Sequence, residues 1–150
     1  MKVVLGSDHN GVKFKELLVK HLEEKKYEVV DVGSHGEDSV DYPDFAFAAA
    51  EMVSGGRADR GILVCGSGTG MAMAANKVKG VRAAVCLSRN TAALARQHND
   101  ANVLALAGWQ SRAADVLDIV DTFLDTEFEG GRHARRVNKI TAYEERRGTK

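Results

Sequence analysis

Cys65 stands at the end of a short apolar run, Ile62-Leu63-Val64, and is followed at once by Gly66-Ser67-Gly68-Thr69-Gly70. A run of that kind fills a buried parallel strand, and alternating glycines stop it. Met71, Ala74, Ala75 and Val78 then recur at helical spacing, so the glycines are predicted to lie between a strand end and a helix start. Backbone N–H groups point outward unpaired at such a junction, and with the helix dipole they favour a phosphate or a developing oxyanion. Thiols act as bases or nucleophiles where positive ends of this kind favour the thiolate. The segment reads as a sulfur base beside an anion cradle; an inert buried cysteine and a plain tight turn are the structural alternatives.

Other groups have spacing suited to the same chemistry. Asp8 and His9 follow the apolar run at 3–5, where they either cap the next helix or face a ligand. His98 and Asn99 end a predicted helix, on the turn that carries Leu94 and Ala95, so His98 is either a proton shuttle or a satisfied structural histidine. Gly130-Gly131 precede Arg132, Arg135, Arg136 and Lys139 at i, i+3, i+4 and i+7. That stripe is either a solvated face or, through Arg132 and Arg136 on one ridge, a bidentate grip on phosphate. Cys86, inside V-R-A-A-V-C-L, reads as core, and neither cysteine has metal-ligand spacing, so free thiols are expected rather than a disulfide. The glycine loop fits no nucleotide motif: Met71 stands where the dinucleotide fingerprint needs glycine, and no Gly-Lys-Ser/Thr follows.

The elements that must position these groups alternate. Strand 3–5 leads to a helix carrying Phe14, Leu17, Leu18, His21 and Leu22; strand 28–32 leads through a polar connection at 33–43 to a helix carrying Phe45, Ala48, Ala49, Met52 and Val53, ended by Gly55-Gly56. After the central strand, loop and helix come a strand at 81–87, a helix capped by Ser88 and running to His98, and a strand at 102–107. Ala113, Val116, Leu117, Val120 and Leu124 mark a further helix, and a last one spans 131–147 with Val137 and Ile140 on its apolar side. The pattern predicts an α/β fold, a three-layer Rossmann-like sandwich with a five-stranded parallel sheet and helices on both faces, in a single domain over 1–150. Ligands of such sheets bind beyond the carboxyl ends of the strands, so Asp8, His9, residues 65–70 and His98 with Asn99 are expected to share one crevice.

Composition narrows the setting. The 150 residues are 44% hydrophobic and 28% charged, and 21 Lys plus Arg balance 21 Asp plus Glu. No global field favours nucleic acid or membrane, and no run resembles a signal peptide or a membrane span, so a cytoplasmic protein is expected.

Six short motifs occur together and in order: S-D-H-N-G at 7–11, D-Y-P-D at 41–44, C-G-S-G-T-G-M at 65–71, A-A-N-K at 74–77, R-Q-H-N-D-A-N at 96–102 and G-G-R-H at 130–133. On these the sequence resembles the ribose-5-phosphate isomerase B family, which also includes allose- and galactose-6-phosphate isomerases. The resemblance implies a metal-free, cofactor-free aldose–ketose isomerisation of ribose 5-phosphate and ribulose 5-phosphate, a pentose phosphate pathway reaction, through a cis-enediolate. It implies that Cys65 is the base that moves the proton between C1 and C2, helped by Ser67, and that the amides from Gly66 through Gly68 and Thr69 to Gly70 stabilise the enediolate oxygen. Asp8 and His98 match the ring-opening residues, Asn99 a hydroxyl or oxyanion contact, and His9, Arg132 and Arg136 the phosphate end; Tyr42 falls among the substrate-binding positions. Members are homodimers or homotetramers with shared active sites, so the C-terminal helix from about residue 131 is expected at a subunit interface, with no nucleic-acid or membrane partner.

Two departures bear on substrate and base. Trp109 stands where the family commonly has an arginine, so a phosphate contact there passes to Arg112 or the pocket takes a different sugar, such as allose or galactose 6-phosphate. Residues 71–77 hold no glutamate, the base that some members use, which favours Cys65. From other classes, Cys65 with His98 would also suit a cysteine hydrolase, and the same loop would serve a non-catalytic phosphosugar-binding module.

Overall fold

The structure, a computed structural model, describes residues 1–148. In chain order its elements are β1 (Lys2–Ser7), α1 (Val12–Glu24), β2 (Glu28–Asp31), α2 (Tyr42–Ser54), β3 (Arg60–Cys65), α3 (Thr69–Ala75), β4 (Ala83–Val85), α4 (Arg89–Asn99), β5 (Val103–Ala107), α5 (Ala113–Asp125) and α6 (Arg132–Arg147). The five strands form one parallel sheet in the order β2-β1-β3-β5-β4. This is the α/β sandwich that the alternating pattern predicts.

Strand order dictates the layers. Crossovers between parallel strands are right-handed, so a helix's face follows from the direction in which its connection travels along the sheet. The steps from β1 to β2 and from β4 to β5 go one way; those from β2 to β3 and from β3 to β4 go the other. Accordingly Leu18 and Leu22 of α1, Ala92 and Ala95 of α4 and Phe123 of α5 pack with Val3, Leu5, Ile62, Val64, Leu104 and Leu106 on one face. Ala46, Ala49 and Ala50 of α2 and Met71 and Ala75 of α3 pack with Val4, Leu63, Cys65 and Val103 on the other. Val3 to Leu5 and Ile62 to Val64 are fully buried, which is why these runs are continuously apolar rather than alternating.

Three local differences from the sequence expectation have identifiable causes. Helix α1 buries Lys15 as well as Val12, Leu18 and Leu22; the Lys15 ammonium is satisfied by the Asp31 carboxylate at the end of β2, whose other oxygen accepts the Gly33 N–H at 2.9 Å. Helix α3 stops at Ala75 instead of reaching Val78, because Asn76 closes it and turns its side-chain amide to the Ala83 N–H at 2.8 Å and the Ala83 carbonyl at 2.9 Å. Those bonds, with Asn102 Oδ1 accepting the Arg82 N–H at 2.8 Å, trim β4 to three residues at the sheet's edge. At the far end of β4, Ser88 caps α4 as expected, in a reciprocal box with Thr91.

The Lys15 pair gives a stability test. Asp31→Ala strands a buried ammonium and is expected to cost about 3 kcal/mol or more in chemical denaturation, whereas the Lys15→Met, Asp31→Leu double variant, which removes both charges, is expected to lose much less. Equal losses in the two proteins would show that the pair's charge is not what Asp31 satisfies.

Candidate active site

Cys65 ends β3 and is 4% exposed. Its sulfur accepts the Gly68 N–H at 3.1 Å. Gly68 sits at φ 76°, a left-handed conformation that side chains rarely adopt, and this turn folds the loop back so that its amide meets the sulfur. One residue on, the Thr69 N–H donates to Ser67 Oγ at 3.3 Å, and α3 begins.

Two aromatic rings bracket the loop. A Cβ added to Gly66 would lie 2.6 Å from the Trp109 ring, and one added to Gly70 would lie 2.6 Å from the Tyr42 ring. The missing side chains at these two positions are thus what admits the rings. Both aromatics keep much of their surface in water, Trp109 72% and Tyr42 41%. Trp109 is held there by backbone bonds, since the Gly108 N–H donates to the Cys65 carbonyl at 2.8 Å and the Trp109 N–H to the Gly66 carbonyl at 3.0 Å.

The loop after β1 completes this edge. The Asp8 N–H donates to the Val64 carbonyl at 3.2 Å, so Asp8 is tied to the strand that carries Cys65. Its carboxylate, 5% exposed, accepts the Asn10 N–H at 2.9 Å. That bond closes a turn ahead of α1, whose N-cap is Gly11, so neither Asp8 nor His9 caps the helix. His9 Nδ1 accepts the Val40 N–H at 3.2 Å, which leaves Nε2 to carry the proton of the neutral ring, so the Asn10 side-chain amide 3.3 Å away turns its oxygen, not its nitrogen, toward it. His9 also lines a cleft of about 360 Å³ with Asn10, Val12, Lys13, Phe14 and Glu37.

The remaining predicted residues lie elsewhere. Helix α4 starts beyond the carboxyl end of β4 and must return the chain to the amino end of β5. His98 and Asn99, in its last turn, therefore stand at the sheet's amino edge, opposite the end of β3 that carries Cys65. They do not share a crevice with Cys65 inside one chain. The start of α6 lies beside them: the Glu129 N–H donates to the Gln97 carbonyl at 3.1 Å, and the His98 and His133 rings stack 4.2 Å apart. Arg132 and Arg136, exposed on α6, belong to the same edge. Each chain thus assembles Asp8, His9, Tyr42 and the loop from Cys65 to Gly70 on one side and His98, Asn99, Arg132 and Arg136 on the other.

Arg112 is not poised as a substitute phosphate ligand, because its guanidinium forks onto Asp115 at 2.8 and 3.2 Å at the exposed start of α5. Cys86 is core, as expected: burial pushes its thiol up to about 11. Both cysteines are free. His133, part of the G-G-R-H motif but given no role by the sequence pattern, is buried, with its pKa held below the usual histidine value by burial and by neighbouring His98. The available signal was the i, i+4 spacing of Glu129 and His133 across Gly130-Gly131. His98, Glu129 and His133 bring donor atoms within 4.8 Å of one another, but rings stacked face to face direct their lone pairs along parallel planes rather than at one point, so they form no ready ion cage.

Residues 3–140 match the Ribose/Galactose Isomerase family, and the chain belongs to that family. It is 46% identical over 146 residues to ribose-5-phosphate isomerase B of Escherichia coli (strain K12), covering 97% of this chain and 98% of that one. It is 49% identical over 143 residues to the probable ribose-5-phosphate isomerase B of Mycoplasma pneumoniae, covering 95% and 94%. Among solved structures, Clostridium thermocellum ribose-5-phosphate isomerase B superposes with a TM-score of 0.96 at 51% identity, covering 97% of this chain and 99% of that one. The Mycoplasma genitalium enzyme, solved with bound ribulose-5-phosphate, superposes with a TM-score of 0.93 at 49% identity, covering 96% of each chain. Among the described residues, no helix is long and apolar enough to cross a membrane.

The contact between Gly66 and Trp109 can be tested by a double-mutant cycle. Gly66→Ala is expected to destabilise the protein by about 1–3 kcal/mol through overpacking, and most of that loss should vanish in a Trp109→Ala background. Additive losses in denaturation would place the indole away from the loop.

Proposed function

We propose that this chain interconverts ribose 5-phosphate and ribulose 5-phosphate, with Cys65 as the base. The observation that carries the reading is a single thiol at the closed end of β3, inside a turn whose amide points back at it; the relatives' names and the ribulose-5-phosphate complex of one of them support the choice of sugar.

The sugar must first open. As the bond between C1 and the ring oxygen breaks, His98 gives a proton to that oxygen, Asp8 takes the proton of the anomeric hydroxyl, and C1 becomes a carbonyl. Cys65 as thiolate then removes the C2 proton, and the negative charge that builds on the C1 oxygen meets N–H groups of the 66–70 loop, fixed before the charge arrives. These are groups other than those of Gly68 and Thr69, which are held by Cys65 and Ser67. Ser67 exchanges the proton between the two enediolate oxygens, and Cys65 returns its proton to C1, leaving the ketone at C2. Asn99 holds a substrate hydroxyl, and Tyr42 walls the loop. At the other end of the sugar, His9 offers its Nε2 proton to the phosphate, and Arg132 and Arg136 supply charge.

Because His98, Asn99, Arg132 and Arg136 stand at the sheet edge opposite Cys65, the site is completed by a second copy of the chain. A two-fold dimer brings each edge of one copy to the other edge of its partner and builds two equivalent sites. Helix α6 suits that interface, since Ile140 and Tyr143 on it are 56% and 57% exposed despite being apolar. A tetramer would be two such dimers.

One observation favours a neighbouring substrate, a hexose 6-phosphate such as allose 6-phosphate: the exposed indole of Trp109 lies against Gly66, where it would contact the sugar carbon chain rather than a phosphate. A substrate panel separates the two. In deuterated water, the ribulose 5-phosphate formed should carry solvent deuterium at C1 to the extent that the Cys65 thiol exchanges before it returns its proton, and Cys65→Ala should lower the rate by about 10²–10⁴-fold, as for loss of a positioned base. A folded Cys65→Ala protein with undiminished rate would refute the base assignment.

A further inference from the structure

The His98 and His133 rings lie 4.2 Å apart with their planes 8° from parallel. They come from helix ends of opposite sense. His98 is in the last turn of α4, at the negative end of that helix's dipole, and His133 is the second residue of α6, at the positive end of its own. The α4 end is fixed by Arg96, which is buried and donates to the Ala101 carbonyl at 2.6 Å, the Asp100 carboxylate at 2.8 Å and the Thr126 carbonyl at 3.1 Å. His133 is fixed from its own side, its N–H donating to the Gly130 carbonyl at 3.0 Å.

The charged groups around the pair are few. Glu129, in the connection before α6, has a carboxylate oxygen 3.5 Å from His133 Nε2 and is half in water. Arg132 and Arg136 of α6 oppose a charge on His133, as does His98 itself. On α4, Arg96 and Asp100 neutralise each other. Burial is the largest of the influences that disfavour protonation of His133. A charge on either ring at this spacing opposes a charge on the other.

Resting on the ring-opening role given to His98 above, we propose that His133 is a positioning residue for that step: an uncharged ring that fixes the plane of His98 and leaves to His98 the proton passed to the sugar. During ring opening His98 loses one proton to the ring oxygen and regains it from water, while His133 neither gains nor loses one. The stack sets the direction of the reacting N–H, which an isolated side chain at a helix end would not hold.

The test compares His133→Phe, which keeps a flat ring in the stack, with His133→Ala, which removes it. With ribose 5-phosphate, His133→Phe is expected to retain kcat within about threefold and the wild-type pH profile, whereas His133→Ala is expected to lose about ten- to a hundredfold in kcat with little change in KM. Nitrogen NMR of the imidazoles in the wild-type protein should show His133 in its neutral form throughout the pH range over which His98 titrates. A His133→Phe protein as impaired as His133→Ala, with both folded, would make His133 a proton carrier and overturn the proposal. So would a His133→Ala protein with wild-type kcat and pH profile, or a His133 that protonates ahead of His98. The NMR arm needs no turnover: a wild type that converts no phosphosugar overturns the function proposed above, while the titration still decides separately whether His133 is the uncharged partner.

Discussion

A parallel strand can be followed by another only if the chain returns from the sheet's carboxyl edge to its amino edge, and this single constraint organises everything else in the molecule. Segments that leave strands gather on one edge; segments that end helices gather on the other. The order β2-β1-β3-β5-β4 adds a reversal between β1 and β3, so that the loops after those strands diverge to opposite faces and leave a crevice between them. Asp8 and Cys65 flank that crevice because they are the first residue after β1 and the last residue of β3. The same constraint sends His98 away from it.

Separating the two halves has a chemical consequence. The edge bearing Cys65 offers a thiol, oriented amides and a shielded carboxylate, the parts needed to move a proton on carbon. The edge bearing α6 offers imidazoles and guanidinium groups, the parts needed to open a ring and hold a phosphate. In the proposed mechanism neither half isomerises a cyclic phosphosugar alone. Catalysis in this account is therefore a property of the assembly, and subunit association counts among the requirements for turnover.

Much of this was legible in the sequence because the signals were local. The continuous apolar runs at Val3 to Leu5 and Ile62 to Val64 announce buried parallel strands, Ser88 announces the start of α4, and the spacing of glycines around Ser67 and Thr69 announces a loop that must turn sharply and lie close to something. What the loop lies close to was not legible, since the rings of Tyr42 and Trp109 reach Gly70 and Gly66 only through tertiary folding. Lys15 was missed for a related reason: a lysine on a helix reads as polar surface until Asp31, sixteen residues away, is placed beside it. The crevice expected for His98 and Cys65 is not formed within one chain, because helical pattern shows which face of α4 is buried but not which edge of the sheet its last turn reaches; strand order and direction decide that.

The central claim is that Cys65 of one copy works with His98 of another, and subunit complementation tests it most directly. Cys65→Ala and His98→Ala proteins, each inactive alone, would be mixed under conditions that exchange subunits and assayed for isomerisation of ribose 5-phosphate. In a mixed dimer one site would carry both substitutions and the other neither, so the account predicts recovery of about a quarter of wild-type activity after random exchange into two-fold dimers. Mixed dimers that form and stay inactive would contradict it, and would mean that each chain must supply both residues to its own site.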